Sequence, residues 1–489
     1  MTTKITIDPI TRLEGHGRID IFIDDAGEVE RAYFVVPELR GFEVFARGRP
    51  AEDMPQITSR ICGVCPTAHH MASSKTVDDL WKVDPPRSAK LIRELMHNAF
   101  MCEDHALHFY VLAGADFIRG PTAPAAERNI LGVVDTVGLE VGLKVIDARK
   151  KLRWILQLLG GKVIHPVAGL PGGMARPVPA DELETLRTIA SESVEFALFT
   201  QKTFHDLVLK NPEYVDLVTS EAFTHRTHYM GLVDDDNKVN FYDGKLRVVD
   251  PDGKEFVKFD VHDYANHIAE HVEPWTFVRF SHLKKVGWRG FVDGNDSGIV
   301  AVAPLGRLNA ADGMATPKAQ EAYEQFYDTL GGKPCHLTLA THWARIIEMI
   351  YAAERMVELL EDPEIVDQNV RNLPSEKPEE GIGVVEAPRG TLIHHYTTDE
   401  RGILTEVNLL VATQHNAARI ALSVDKAARA LIKGVAVDEG TLNMIEMAFR
   451  AYDPCMACAT HALTDAMPLL FSFRSSTNGK IIAELKARQ

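Results

Sequence analysis

Hydrophobic positions change period along the chain. From Lys4 to Pro37 they alternate in twos, through KITIDPI, GRIDIFIDDAG and EVERAYFVVP, which predicts a β-hairpin or meander turning at DDAG. Beyond PPRS the period becomes three and four. Ala89 to Ile118 carries one unbroken helical pattern, long for a globular helix and suited to a bundle. The same period predicts helices over Leu139–Leu159, Ala180–Lys210, Leu339–Asp362 and Thr413–Gly434. Between them, Lys238–Asp260 alternates and turns twice at Asp-Gly, as a small antiparallel sheet does. The charged run Asp362–Gly381 reads as a linker. The expected fold is α+β and mainly helical, a long-helix bundle core with small antiparallel sheets and an N-terminal hairpin or meander.

The 489 residues are 45% hydrophobic, enough for a large buried core. With 53 basic against 69 acidic residues the formal charge is −16, which opposes attraction to phosphate backbones and anionic lipid. No nucleic-acid partner is expected. No stretch approaches the roughly 18 apolar residues of a membrane helix, and MTTKITIDPITRLEGH shows neither an apolar h-region nor twin arginines. A cytoplasmic chain with no membrane span is expected.

Six cysteines are too few for a secreted disulfide framework. Four of them form two C-x-x-C pairs at opposite ends of the chain, Cys62 and Cys65 in SRICGVCPTAHH, and Cys455 and Cys458 in YDPCMACATHA. Each pair is followed closely by a histidine, His69 and His461. Four thiolates make a full soft-ligand set for zinc, nickel, iron or copper(I). A structural zinc site is the plain alternative, but zinc motifs of this type staple short segments. A site drawn from both ends closes only after the core between them has folded, so it is expected to be deep and central. Cys102 and Cys335 stand alone and cannot ligate a cubane iron–sulfur cluster. Electrons from any redox reaction here must pass to another subunit.

Taken together the motifs resemble the large subunit of nickel–iron hydrogenases, most closely the soluble NAD-reducing type. They are ITRLEGH, RGFE at Arg40–Glu43, RICGVCPTAH, EDHALHFY, HPVAGLPGG, EAPRGTL, VATQHN and DPCMACATH. The resemblance covers essentially the whole chain. It implies that Cys62 and Cys455 are terminal thiolates on nickel, and that Cys65 and Cys458 bridge nickel to an iron carrying CN and CO. Glu43 and His461 match Mg2+ ligands. Glu14 matches the glutamate that relays protons from a terminal cysteine. Arg389 matches an arginine above the open metal position, beside Pro388 and oriented by Asp104 and Asp453. Thr413 takes the place of a hydroxyl that bonds a cyanide, although Ala412 and His415 replace the family's proline and tryptophan. His69 is expected on a bridging sulfur. Thiolates also call for a nearby cation, for which Arg60 and Arg389 are the candidates.

The implied reaction is reversible cleavage of dihydrogen, with no iron–sulfur cluster and no nucleotide site in this chain, since neither G-x-G-x-x-G after a strand nor a P-loop occurs. The implied partners are an iron–sulfur small subunit, flavin- and NAD-binding diaphorase subunits, nickel-insertion chaperones and a maturation endopeptidase. That peptidase would cleave after His461, leaving a single domain over 1–461 and removing 462–489; an ordinary terminal helix over IIAELKAR is the alternative. An F420- or NADP-linked hydrogenase is the competing type. Two readings lie outside the family. His267–His271, HIAEH, fits an inverted zinc-protease pattern that requires both histidines on one helix face. A noncatalytic scaffold like the quinone-site subunit of complex I lacks the four cysteines.

Overall fold

The computed structural model describes residues 3–434, 436–461, 470–474 and 481–486. Eight helices frame the site: α1 (Pro66–Leu80), α2 (Arg87–Leu107), α3 (Ile130–Val137), α4 (Leu139–Gly160), α5 (Leu183–Phe204), α6 (Thr341–Glu361), α7 (Ala412–Leu431) and α8 (Glu439–Arg450). The long helices α2, α4, α5 and α6 close into a bundle in which α2 packs on α4 and α6, and α5 on the same two. Leu91, Ile92, Leu95, Met96, Ala99 and Phe100 of α2 are buried there. Each large apolar side chain so placed stabilises by about 1.5–3 kcal/mol, against about 0–1 kcal/mol for an exposed ion pair. The core therefore holds the bundle. The pattern expected as one helix from Ala89 to Ile118 is broken: α2 ends at Leu107, a wider π-helical turn spans His108–Ala113, and α-helix resumes over Gly114–Ile118. The wider i→i+5 step shifts the register and so re-aims the side chains around it.

The N-terminal meander is present as β1 (Thr3–Ile7), β2 (Arg18–Ile23) and β3 (Val29–Val35), antiparallel and packed on α7. Strand β4 (His228–Val233), outside the stretch expected as a sheet, pairs antiparallel with β5 (Lys245–Val249), and β5 with β6 (Glu255–Phe259) as expected; three two-residue strands, two of them paired in parallel, extend this to a mixed sheet of six. A two-stranded pair follows, β7 (Ile268–His271) with β8 (Phe280–Leu283). The sheet that positions the site is β9 (Glu380–Ala387), β10 (Gly390–Thr398) and β11 (Leu404–Leu410). Strand β9 lies directly on α1 because Gly381 and Gly383 face it. A Cβ on Gly381 would meet the Thr76 carbonyl at 2.4 Å, and one on Gly383 the Ala72 carbonyl at 2.5 Å.

Three expectations are corrected. The charged stretch Asp362–Gly381 is no free linker: Ile365 is buried, and the Val370 carbonyl and Asn372 amide bond Met174 and Gly172 at 2.8 and 2.9 Å. IIAELKAR is not a helix; β12 (Leu470–Arg474) pairs antiparallel with β13 (Ile481–Lys486), which takes up most of it. The rest of the proposed extension, with its cleavage, lies outside the described residues. HIAEH is not helical either. A short helix ends at His267, and Ile268–His271 runs as β7. The two histidines face different partners, His267 with Asp263 at 2.9 Å and His271 with Glu273 at 3.0 Å, so they share no metal.

Candidate metal centre

The two ends of the chain meet in the interior. Glu14 and Cys455 form an isolated parallel bridge, with the Met456 amide donating to the Glu14 carbonyl at 2.9 Å. The first cysteine pair lies on the loop entering α1; of the second, Cys455 stands just before and Cys458 within a helical turn, Met456–Ala459, packed on α7. Their sulfurs converge: Cys62 to Cys455 and Cys65 to Cys458 at 3.2 Å each, Cys455 to Cys458 at 2.9 Å, all four within 4.8 Å. All are buried and none is in a disulfide. Four convergent soft donors with no other role fit a nickel–iron centre. Among the described residues this is the one cluster of its kind.

Glu14 reaches the cluster from the solvent side. Its Oε2 accepts from Cys455 Sγ at 2.9 Å and from the Ala457 amide at 3.1 Å. Burial, and then the neighbouring Cys62 sulfur, push its carboxyl above the ordinary range. Arg389 approaches from the opposite chemistry. It occupies the two-residue turn, Pro388–Arg389, that joins β9 to β10, whose last pair is Ala387 with Gly390. Gly390, at φ +132°, lets this turn press against Val302, where a Cβ would lie 2.3 Å from a methyl.

The turn is clamped. Asn416 donates to the Arg389 carbonyl at 2.7 Å, Arg345 to that of Pro388 at 2.9 Å, and Arg307 to that of Ala387 at 2.8 Å. The guanidinium meets Asp104 at 3.2 Å and Asp453 at 2.9 Å, and its Nε donates to the Asp453 carbonyl at 2.6 Å. Burial and the neighbouring Asp453 raise Asp104, whereas Arg389, His108 and Arg345 outweigh burial at Asp453 and hold it low. Asp453 keeps a left-handed backbone, φ 56°, a conformation that short polar residues such as aspartate adopt more readily than other non-glycine residues.

The other expected residues fall around the same centre. His69 Nε2 stands 3.4 Å from Cys458 Sγ. Thr413 Oγ1 accepts from the Cys455 amide at 3.0 Å. Glu43 Oε1 and His461 Nδ1 lie 3.2 Å apart in a separate buried pocket. Two cis ligands of an octahedral Mg2+ with bonds near 2.1 Å would be separated by about 3.0 Å, close to the spacing of this pair, which therefore fits a hard cation. Arg60 is the exception: it is exposed and turns back to the Gln56 carbonyl, which leaves Arg389 as the cation facing the thiols.

Sequence reasoning missed several neighbours. His394 bonds His69 Nδ1 at 3.1 Å and the Tyr396 hydroxyl at 2.6 Å, fixing the His69 ring; alternate inward positions on IHHYTT carried that signal. Around Glu43 sit Gln414, 3.0 Å from His461 Nε2, and Arg279, which bridges Glu43 at 3.2 Å and Glu270 at 2.7 Å. Glu270, the fourth residue of HIAEH, thus belongs to this second pocket.

Comparison with known proteins agrees with this geometry. A family profile described as nickel-dependent hydrogenase matches residues 40–131 and 293–461, and one described as HoxL-like matches 4–39. The chain belongs to the nickel-dependent hydrogenases. As a hydrogenase large subunit it is 47% identical to an iron-sulfur subunit of the F420-non-reducing hydrogenase of Archaeoglobus profundus, over 95% of this chain and 96% of the relative. It is 37% identical to the NAD-reducing hydrogenase HoxS subunit beta of Cupriavidus necator, over 99% of both. A crystal structure of an NAD+-reducing [NiFe]-hydrogenase in the H2-reduced state superposes with a TM-score of 0.87 at 35% identity, covering 94% of this hydrogenase and 99% of that chain. No helix of the described residues is long and apolar enough to cross a membrane.

Proposed function

We propose that this chain is the subunit in which dihydrogen is reversibly split, giving two protons and two electrons. The observation that carries the reading is the 2.9 Å contact from Cys455 Sγ to Glu14 Oε2 beside four convergent thiols. Cys62, Cys65, Cys455 and Cys458 would hold a nickel–iron centre with CN and CO on iron, which would supply Lewis acidity to polarise the H–H bond. Cys455 Sγ takes the two protons one after the other and passes each to Glu14 Oε2, while the two electrons leave to the partner. Glu14, partly exposed, then releases each towards solvent. Arg389 stabilises negative charge over the reacting position, and Asp104 and Asp453 orient it. His69 donates to the Cys458 sulfur, and Thr413 fixes the Cys455 backbone. Glu43 and His461 hold Mg2+ away from the reacting atoms.

Electrons leave to an iron–sulfur partner. Of the loop carrying the first cysteine pair, Gly63 is exposed, which offers a route outwards. We read the final acceptor as NAD, reached through flavin-bearing diaphorase subunits in the cytoplasm. A second reading, an acceptor other than NAD or F420, is favoured by the higher identity to relatives named F420-non-reducing. Purified complex is expected to contain about one nickel and one magnesium per chain and to reduce NAD+ under hydrogen. Zinc without nickel would overturn the hydrogen-splitting reading; viologen reduction without NAD+ reduction would select the second acceptor.

Maturation is read as cleavage after His461 by an endopeptidase, following nickel delivery by chaperones. The His461 carbonyl accepts from the Glu43 amide at 3.2 Å, so this residue has its own anchor at the site. Intact mass of active protein is expected to end at His461. A full-length mass in fully active complex would refute this.

A further inference from the structure

Two histidines and a tyrosine stand in line behind the Cys458 sulfur. On helix α1, His69 and Ser73 are four apart and share a face. On strand β10, His394 and Tyr396 are two apart and share a face. Helix α1 packs on β10, and the two pairs interleave. His69 Nε2 lies 3.4 Å from Cys458 Sγ, and His69 Nδ1 lies 3.1 Å from His394 Nε2. His394 Nδ1 is then 2.6 Å from the Tyr396 hydroxyl, which is itself 2.9 Å from Ser73 Oγ. All four side chains are buried. The adjacent His395 shows what strand alternation selects: it turns the other way, to Tyr264 at 2.9 Å and Glu380 at 2.8 Å.

Burial holds both imidazoles of the line neutral. A neutral imidazole has one N–H and one lone pair, so the bond made by one nitrogen dictates the role of the other. The line therefore has two consistent polarities. In the first, Tyr396 donates to His394, His394 donates to His69, and His69 Nε2 presents a hydrogen to the sulfur. In the second every hydrogen is reversed and His69 presents a lone pair. A metal-bound thiolate accepts and has no hydrogen to return, so only the first suits a loaded site. The choice is made at the far end. A hydroxyl can turn its one hydrogen to either neighbour, and His394 Nδ1, at 2.6 Å, is nearer than Ser73 Oγ.

We infer that Tyr396 is a positioning residue which, through His394, keeps the His69 Nε2 hydrogen on the Cys458 sulfur. The inference deepens the reading of His69 as a donor and rests on it. An N–H on a ligand sulfur withdraws electron density from the metals behind it, and such bonds are among the levers that set the potential of a thiolate-held centre. Tyr396 thus tunes the centre from two residues away.

The test uses the intact complex and reads the infrared CO band of the iron together with nickel and iron content. Tyr396→Phe removes one oxygen and keeps the ring. It is expected to move the CO band to lower wavenumber, in the same sense as His69→Ala, because a sulfur without its hydrogen bond returns density to the iron; nickel and iron per chain stay constant. Added to His69→Ala, it is expected to move the band no further, since its effect passes through that ring. A band unmoved in Tyr396→Phe but moved in His69→Ala overturns the inference. So does a Tyr396→Phe shift that persists in full once His69 is gone. Should Tyr396→Phe load no metal, His394→Leu breaks the same line one link nearer and meets the same two criteria. The donor reading fails separately, and the inference with it, if His69→Ala itself leaves the band in place.

Discussion

Glu14 and Arg389 both neighbour the same thiols and are held in opposite ways. Glu14 is attached to the cluster side by one sulfur and one amide, is partly exposed, and is pushed towards its neutral form by burial and the Cys62 sulfur. Arg389 is almost fully buried, bonded through its guanidinium to two carboxylates and a carbonyl, and its turn is clamped by three further side chains. The looser group can exchange its proton with solvent. The fixed one keeps its charge, because burial alone would favour deprotonation and the two carboxylates outweigh it. Loose tethering suits transport, and rigid tethering suits electrostatic stabilisation.

The sharpest way to break this contrast is Glu14→Gln, which keeps the shape and removes the proton acceptor. Hydrogen-dependent dye reduction is expected to fall about 10²–10⁴-fold, the usual worth of a positioned acid–base group, with nickel and iron content unchanged. A pH series sharpens the test. Glu14 must be ionised to accept a proton, so with its raised pKa wild-type hydrogen uptake falls on acidification through a value above the ordinary carboxylate range. In Glu14→Gln that acid limb is absent.

Arg389→Lys should come next, at about 10²–10³-fold in turnover, because an ammonium cannot reproduce the planar fork that Asp104 and Asp453 grip. Metal analysis decides its meaning: nickel near the wild-type level supports a role at the reacting position, whereas nickel loss makes the residue a structural brace and dissolves the comparison. The smallest effect is expected for Thr413→Val. It leaves the buried Cys455 amide without its acceptor, costing about 1–3 kcal/mol, read as a lower melting temperature with turnover changed only a few-fold. A larger loss of turnover than in Arg389→Lys would move Thr413 into the reacting shell.

Much of the fold was legible because apolar period survives tertiary packing. The bundle helices and the N-terminal meander follow directly from it. The period does not register a π-helical turn, so the pattern through His108 looked continuous although the backbone changes there. HIAEH failed for a related reason: two histidines four apart share a face only on a helix, and here the helix ends at the first of them. Arg60 misled because nearness in sequence to Cys62 does not set side-chain direction. Arg389 was legible only through its motif, since a β-turn delivers it from far along the chain. The second pocket was half legible. Glu43 and His461 were expected, but Arg279 and Glu270 come from a strand pair whose local pattern gives no hint of a distant carboxylate.

The proton acceptor and its thiol are 441 residues apart. At about 5–20 residues per second of synthesis, Glu14 leaves the ribosome some twenty to ninety seconds before Cys455 exists. For that time the carboxylate is an ordinary solvated acid with nothing to relay. The chemistry is switched on by the arrival of the last sulfurs, so a chain cut short anywhere before Pro454 carries no half-working centre able to release stray reducing equivalents.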